Sequence, residues 1–257
     1  MSEELLVSSR PELERPILIA AFRGWNDGGQ GASLATGYLA KLWDARRFAE
    51  IEPENFFDFQ ATRPHVSLED GLTRRIDWPS TVFYHGRPPG LDRDVVLLLG
   101  IEPNLRWRTF TELIVGFLKE LRVEMVISLG SLLADVPHTR PCPVTGSASD
   151  QELVERLGLS ASRYEGPTGI VGVLHDACRE ADSPSRSISS LSLALPVTGA
   201  GRVCGTSASS APSVISSSIP RSRASPTTRS VNVRQRRFGS IPSSSTTSRS
   251  RPSGRAW

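Results

Sequence analysis

The chain has 257 residues with 30 basic and 27 acidic side chains, but its net charge of +3 averages two unlike segments. All the acids precede residue 183, so residues 1–182 carry a net −8, while the 75 residues after them hold no acid, 11 arginines and 23 serines. No window of about 18 uninterrupted apolar residues exists to form a membrane-spanning helix, and the N-terminus has acids where a secretory signal has a basic region and an apolar run. Cys142, Cys178 and Cys204 are odd in number and far apart, which argues against a disulfide framework or a zinc site. A cytoplasmic protein with no metal and no cofactor is the expectation.

Residues 1–14 read as an N-terminal extension, 15–182 as one domain with room for a sizeable core, and 183–257 as a basic low-complexity tail. The run Pro16–Phe22 predicts a buried strand. Ala32–Trp43 has helical spacing, with Leu34, Tyr38, Leu39 and Leu42 on one stripe. Asn55–Gln60 and Leu72–Trp78 alternate like half-exposed strands, with Asp70-Gly71 as a hairpin turn signal between them. Thr81–His85 predicts a further strand, and Asp94–Gly100 is the clearest buried strand of the chain.

Trp107–Leu121 predicts an amphipathic helix and Glu124–Gly130 a second apolar strand. After a Pro/Thr/Gly-rich connection, Asp150 is placed to cap a helix through Leu157. Gly169–Leu174 reads as a strand or a strand–helix junction, and His175–Ala181 as helical. The alternation of strand and helix argues for an α/β fold: a three-layer sandwich around a largely parallel sheet, with a small antiparallel excursion near residues 55–86. The apolar runs at 17–22, 94–100 and 124–130 should be neighbours in that sheet.

In open α/β sheets ligands bind beyond the carboxyl ends of the strands, and four polar segments fall there. Gly24–Gly31 contains Trp25, Asn26 and Asp27 among glycines that could cradle a phosphate at a helix N-terminus. Its spacing matches neither the dinucleotide fingerprint nor the P-loop, and a tight packing turn accounts for it as well. Glu102 with Arg106 and Arg108 forms either a carboxylate held by guanidinium groups beside a ligand or a surface ion pair. Asp135, His138 and Arg140 lie between Pro137 and Pro141; an acid beside a histidine is the minimum for general acid–base work. Arg163–Gly169 is the fourth segment. No nucleophile elbow and no metal-ligand spacing accompanies them.

Taken together, AFRGWNDGGQGA at 21–32, FFDFQATRP at 56–64, RDVVLLLGIEPNLRWR at 93–108, LGSLLADVPHTRPCPVTGSAS at 129–149 and SRYEGPTGIVGVL at 162–174 resemble the actinobacterial members of the proteasome assembly chaperone type-2 family. The resemblance spans nearly all of 15–180. It implies a sandwich similar to the nucleoside phosphorylase/hydrolase-like fold and a non-enzymatic module that binds a protein partner or itself. It supplies no catalytic residues. Catalytic candidates on chemistry alone are Asp135, His138 and Glu102, and ligand- or partner-binding candidates are Trp25, Asn26, Asp27, Arg106 and Arg140. The alternative function is a phosphorylase- or hydrolase-like enzyme acting on an anionic small molecule.

From Asp182 onward the chain departs from what the resemblance implies, a further strand and then an acidic helical region. A Ser/Arg-rich segment with few apolar groups cannot offset its own chain entropy and is expected to be disordered. Its composition is what an out-of-frame reading of a G+C-rich gene produces, so it reads as a frameshifted tail; nucleic-acid binding would follow only if the tail were genuine. Ile188–Val197 alternates at Leu191, Leu193, Leu195 and Val197 and stands where the next strand belongs.

Overall fold

A computed structural model of the chain describes residues 3–133, 144–148, 151–158, 160–161, 164–181 and 189–197. In it a nine-stranded mixed sheet runs β1 (Leu5–Val7), β3 (Arg46–Ile51), β6 (Thr81–Gly86), β7 (Val95–Ile101), β2 (Ile17–Arg23), β8 (Met125–Leu133), β11 (Ser189–Val197), β9 (Thr145–Ala148), β10 (Ser160–Ala161). The central four, β7-β2-β8-β11, are parallel, and β1, β3 and β6 extend one side antiparallel. The three apolar runs are therefore neighbours, as their spacing predicts. A separate two-stranded hairpin, β4 (His65–Glu69) and β5 (Thr73–Asp77), turns at Asp70-Gly71.

Helices cover both faces, which is why the central strands are apolar without alternation. Their alternate side chains go to two cores. Leu18, Ala20, Phe22, Val96, Leu98 and Val126 face one core, shared with α2 (Trp107–Glu120) and α4 (Ile170–Glu180). Ile17, Ile19, Val95, Leu97, Ile127 and Leu191 face the other, against α1 (Gly31–Leu42) and α3 (Gln151–Arg156). Among the described residues no helix is long and apolar enough to cross a membrane.

Several expectations are corrected. Asn55–Gln60 is a turn rather than a strand: the Phe56 and Phe57 amides both donate to Pro53 O, so the two consecutive rings are buried and the alternation is not used. The strand of that region is β3, where a bulge between Arg47 and Ala49 blurs the period of two. Gly169–Leu174 is no strand, because α4 begins at Ile170. Leu5–Val7, within the segment expected to precede the domain, pairs with β3 and buries Leu5. Beyond the boundary placed at 182, β11 pairs in parallel with β8 over nine residues.

The helix expected at 32–43 is present as α1, and most of its apolar stripe faces outward. Leu34, Tyr38 and Leu42 point outward at 62%, 64% and 57% exposure, and the helix seats Gly31, Ala32, Ser33 and Thr36 on the sheet instead. Only Leu39 of the stripe packs against the core. The disorder and frameshift expectations for the tail fall on residues outside those described, apart from β11.

Candidate functional site

The carboxyl ends of β2 and β7 and the start of α4 bring three of the polar segments together, those at 24–31, 102–108 and 164–169. β2 runs out at Arg23, and the chain turns at Gly24 with φ +147°. A side chain there would come within 2.7 Å of Glu102 Cβ, so the close approach of the loop after β2 to the loop after β7 requires glycine. Trp25 is 59% exposed just beyond. Its amide donates to Glu102 Oε2 at 3.1 Å, and the Ile170 amide donates to Glu102 Oε1 at 2.8 Å.

Glu102 thus joins the loop after β2 to the N-terminus of α4. Two backbone donors and the positive end of the helix dipole hold its carboxylate there. Arg106 does not pair with it. Arg106 donates to Glu4 at 2.9 Å and lies 5.6 Å over the Phe56 ring, fastening the N-terminal segment to the start of α2.

Asp27 is buried and works as a helix cap at a distance. Its Oδ1 accepts from the Ala32 amide at 2.8 Å and from the Ser131 hydroxyl at 2.9 Å, and the Ser33 amide reaches both oxygens at 3.4 Å. The Ser131 amide donates to Asn26 O at 2.8 Å, pinning the glycine loop to the end of β8. Asn26 Oδ1 is buried without a hydrogen-bond partner among the described residues, and a Cβ on Gly169 would stand 2.2 Å from it. Asn104, which sequence reasoning passed over, organises the neighbouring turn: its Oδ1 accepts from the Asp58 amide and the Thr62 hydroxyl, both at 3.0 Å.

Of the candidates, then, Trp25, Asn26, Asp27 and Glu102 converge at one edge, and Arg106 sits at the start of α2 facing Glu4. Asp135, His138 and Arg140 lie outside the described residues. The segment before α4 is present at this edge, with Tyr164 exposed and its hydroxyl donating to Pro167 O at 2.9 Å. Leu132 and Leu133, at the end of β8, are also exposed.

One pair was not legible in the sequence. Ser128 Oγ and His175 Nε2 lie 2.7 Å apart, joining β8 to α4. A serine hydroxyl on an imidazole nitrogen is the geometry of an activated nucleophile. Here, however, Ser128 is fully buried, and burial pushes the His175 imidazole down to about 4. A neutral imidazole that resists protonation this strongly is a poor proton acceptor, and the pair serves as a polar tie within an apolar layer. A sequence separation of 47 leaves no local signal.

Comparison with known proteins accords with this architecture. The PAC2 family model matches residues 21–203, and so runs through β11 and beyond residue 182. A PAC2 family protein of Streptomyces avermitilis is 46% identical over 70% of this chain and 76% of its own, with a TM-score of 0.63. A Mycobacterium tuberculosis proteasome-assembly chaperone homologue is 44% identical over 72% and 76%, with a TM-score of 0.65. An archaeal homolog of proteasome-assembly chaperone from Pyrococcus furiosus shares the fold at 22% identity over 75% of each chain, with a TM-score of 0.53. No curated protein matches. The extent of the family match and the identity to the two actinobacterial structures settle the question the five motifs raised: the chain belongs to the PAC2 family.

Proposed function

We propose that the chain is a non-enzymatic, chaperone-like protein-binding module whose contact surface includes the carboxyl edge of the sheet. The observation that carries this reading is how the acids there are spent. Both oxygens of Glu102 accept backbone amides, and Asp27 accepts two amides and a hydroxyl. A carboxylate so engaged holds loops in place and has little left for proton transfer. The side chains that face outward at the same edge are Trp25, Leu132, Leu133 and Tyr164. Exposed aromatic and aliphatic groups on a rigid frame suit protein recognition, where Trp and Tyr carry much of the affinity.

The partner this reading favours is an actinobacterial proteasome subunit or an assembly of them, by analogy with the chaperone homologues in Mycobacterium and Pyrococcus. The test is binding of purified actinobacterial proteasome α-subunits by the full chain, followed by interferometry and by native-gel assembly with β-subunits. Binding that Trp25→Ala weakens about tenfold, the scale of a hot-spot aromatic, supports the reading. No binding to α-subunits, with turnover of a phosphate ester or nucleoside by the chain, would replace it with the enzyme alternative.

A further inference from the structure

Ser128 and His175 sit below the carboxyl edge, and the element that carries each of them runs up to it. Ser131 follows Ser128 on β8 by three residues, about 10 Å of strand. Its amide donates to Asn26 O at 2.8 Å and its hydroxyl to Asp27 Oδ1 at 2.9 Å. Ile170 precedes His175 on α4 by five residues, about 7.5 Å of helix. Its amide donates to Glu102 Oε1, and the other oxygen of that carboxylate accepts the Trp25 amide. The 2.7 Å contact between Ser128 Oγ and His175 Nε2 closes a circuit. It runs from the loop of Trp25, Asn26 and Asp27 down β8, across to α4, up to Ile170 and back through Glu102.

Packing alone does not call for this pair. Around it the layer is apolar, with Val126 on the strand and Leu174 and Cys178 on the helix. Replacing two hydrogen-bonded side chains by apolar ones of similar shape is close to neutral for stability. What apolar contact lacks is direction. A hydrogen bond fixes one rotation and one height of α4 on the strand, and that height decides whether the Ile170 amide reaches Glu102. Side chains at Gly24 and Gly169 would collide with Glu102 and with Asn26, so the circuit has little slack. A close-packed interior transmits a shift of the helix instead of absorbing it, and a displaced α4 takes one of the two amides away from Glu102.

We propose that Ser128 and His175 are positioning residues for the carboxyl edge. Their contact sets the height of α4 on β8 and, through Ile170 and Glu102, the seat of the loop that presents Trp25. The consequence for recognition rests on the reading of this edge as a contact surface, whereas the coupling itself belongs to the free chain.

Amide exchange by NMR on the full chain without a partner tests it. The variant is Ser128→Ala with His175→Leu, which fills the layer with apolar atoms and should keep the thermal midpoint. The Ile170 and Trp25 amides should exchange about tenfold faster, the scale of one lost hydrogen bond, while amides in the middle of α1 keep the wild-type rate. Should the double variant not fold, Ser128→Ala alone, which removes one oxygen, gives the same reading. In a Glu102→Gln background one of the two amide links is already gone, so the same change should quicken Trp25 by less than about twofold. Fast exchange at Trp25 with an unmoved midpoint separates positioning from stability, because a merely structural tie would loosen α1 as well. Unchanged rates at Trp25 and Ile170, acceleration shared equally by α1, or an undiminished effect in the Glu102→Gln background overturns the proposal. So does a double variant that shows the exchange pattern and still binds proteasome α-subunits at wild-type strength. A wild type that binds no α-subunits, with the exchange pattern present in the variant, supports the coupling and sinks the proposed function.

Discussion

On the side of the sheet under α2 and α4, phenylalanines pack edge to face in a chain: Phe110 against Phe22 and Phe56, and Phe117 against Phe83. On the other side α1 approaches the strands through Gly31, Ala32, Ser33 and Thr36 and holds Leu34, Tyr38 and Leu42 away from them. Both helices lie on the same strands, yet one spends its large apolar groups on the fold and the other keeps them outside. The difference teaches that an apolar stripe records a surface that needs covering, not which surface will cover it. The contrast can be broken by measurement. Phe110→Ala should cost about 3–5 kcal/mol of stability, the range for removing a fully buried ring, as read by urea denaturation. Leu34→Ala, of similar chemical kind, should stay within about 0.5 kcal/mol. Equal losses would mean that α1 is as deeply committed to the core as α2.

Acid should strike the α4 side selectively. His175 is held near 4 by burial, against an ordinary value of 6.5, so the unfolded chain binds more protons in between. Stability from this group is complete above pH 6.5 and is lost as pH falls toward 4, by on the order of 3 kcal/mol in full. His85, also lowered by burial first, adds in the same direction. Denaturant midpoints across pH 7 to 4 should fall accordingly, and the His175 ring protons should titrate near 4 in the folded protein. A ring titrating at 6 or above would show that α4 does not seal this layer.

Glu102→Gln sharpens the comparison at the loops. The amide side chain offers one carbonyl oxygen in place of two charged acceptors, so either Trp25 or Ile170 loses its partner. A cost of about 1–2 kcal/mol is expected, with amide exchange quickening in the first turn of α4 and not in α1. Faster exchange in α1 alone would move the role of this glutamate elsewhere.

Much of the architecture could be read in advance because buried central strands leave a strong mark. Ile17–Phe22 and Val95–Gly100 are apolar on both faces, as is Val126–Leu129 apart from Ser128, and the intervening helices force them parallel. The convergence of Trp25, Asn26, Asp27 and Glu102 followed from the same rule, since each segment leaves a parallel strand at the same edge. What could not be read was set by distant partners. Arg106 sits two residues before Arg108 and four after Glu102, but its partner is Glu4, brought in by an edge strand of three residues. Ser128 and His175 are each ordinary in their local sequence and meet only because α4 crosses β8. The outward turn of the α1 stripe was hidden for another reason: Gly, Ala, Ser and Thr on a helix carry little hydrophobic signal, although small side chains let helix and sheet approach closely.

The smallest expected effect comes from Gly37, in the middle of α1. A Cβ added there would meet nothing within 4 Å, and the residue's backbone is helical, so alanine fits without strain. Alanine restricts the unfolded chain more than glycine does, and Gly37→Ala should therefore stabilise the folded domain by about 0.5–1 kcal/mol. Thermal melting at neutral pH would show it as a raised midpoint. A drop instead would mean that the space beside α1 is filled in the single chain.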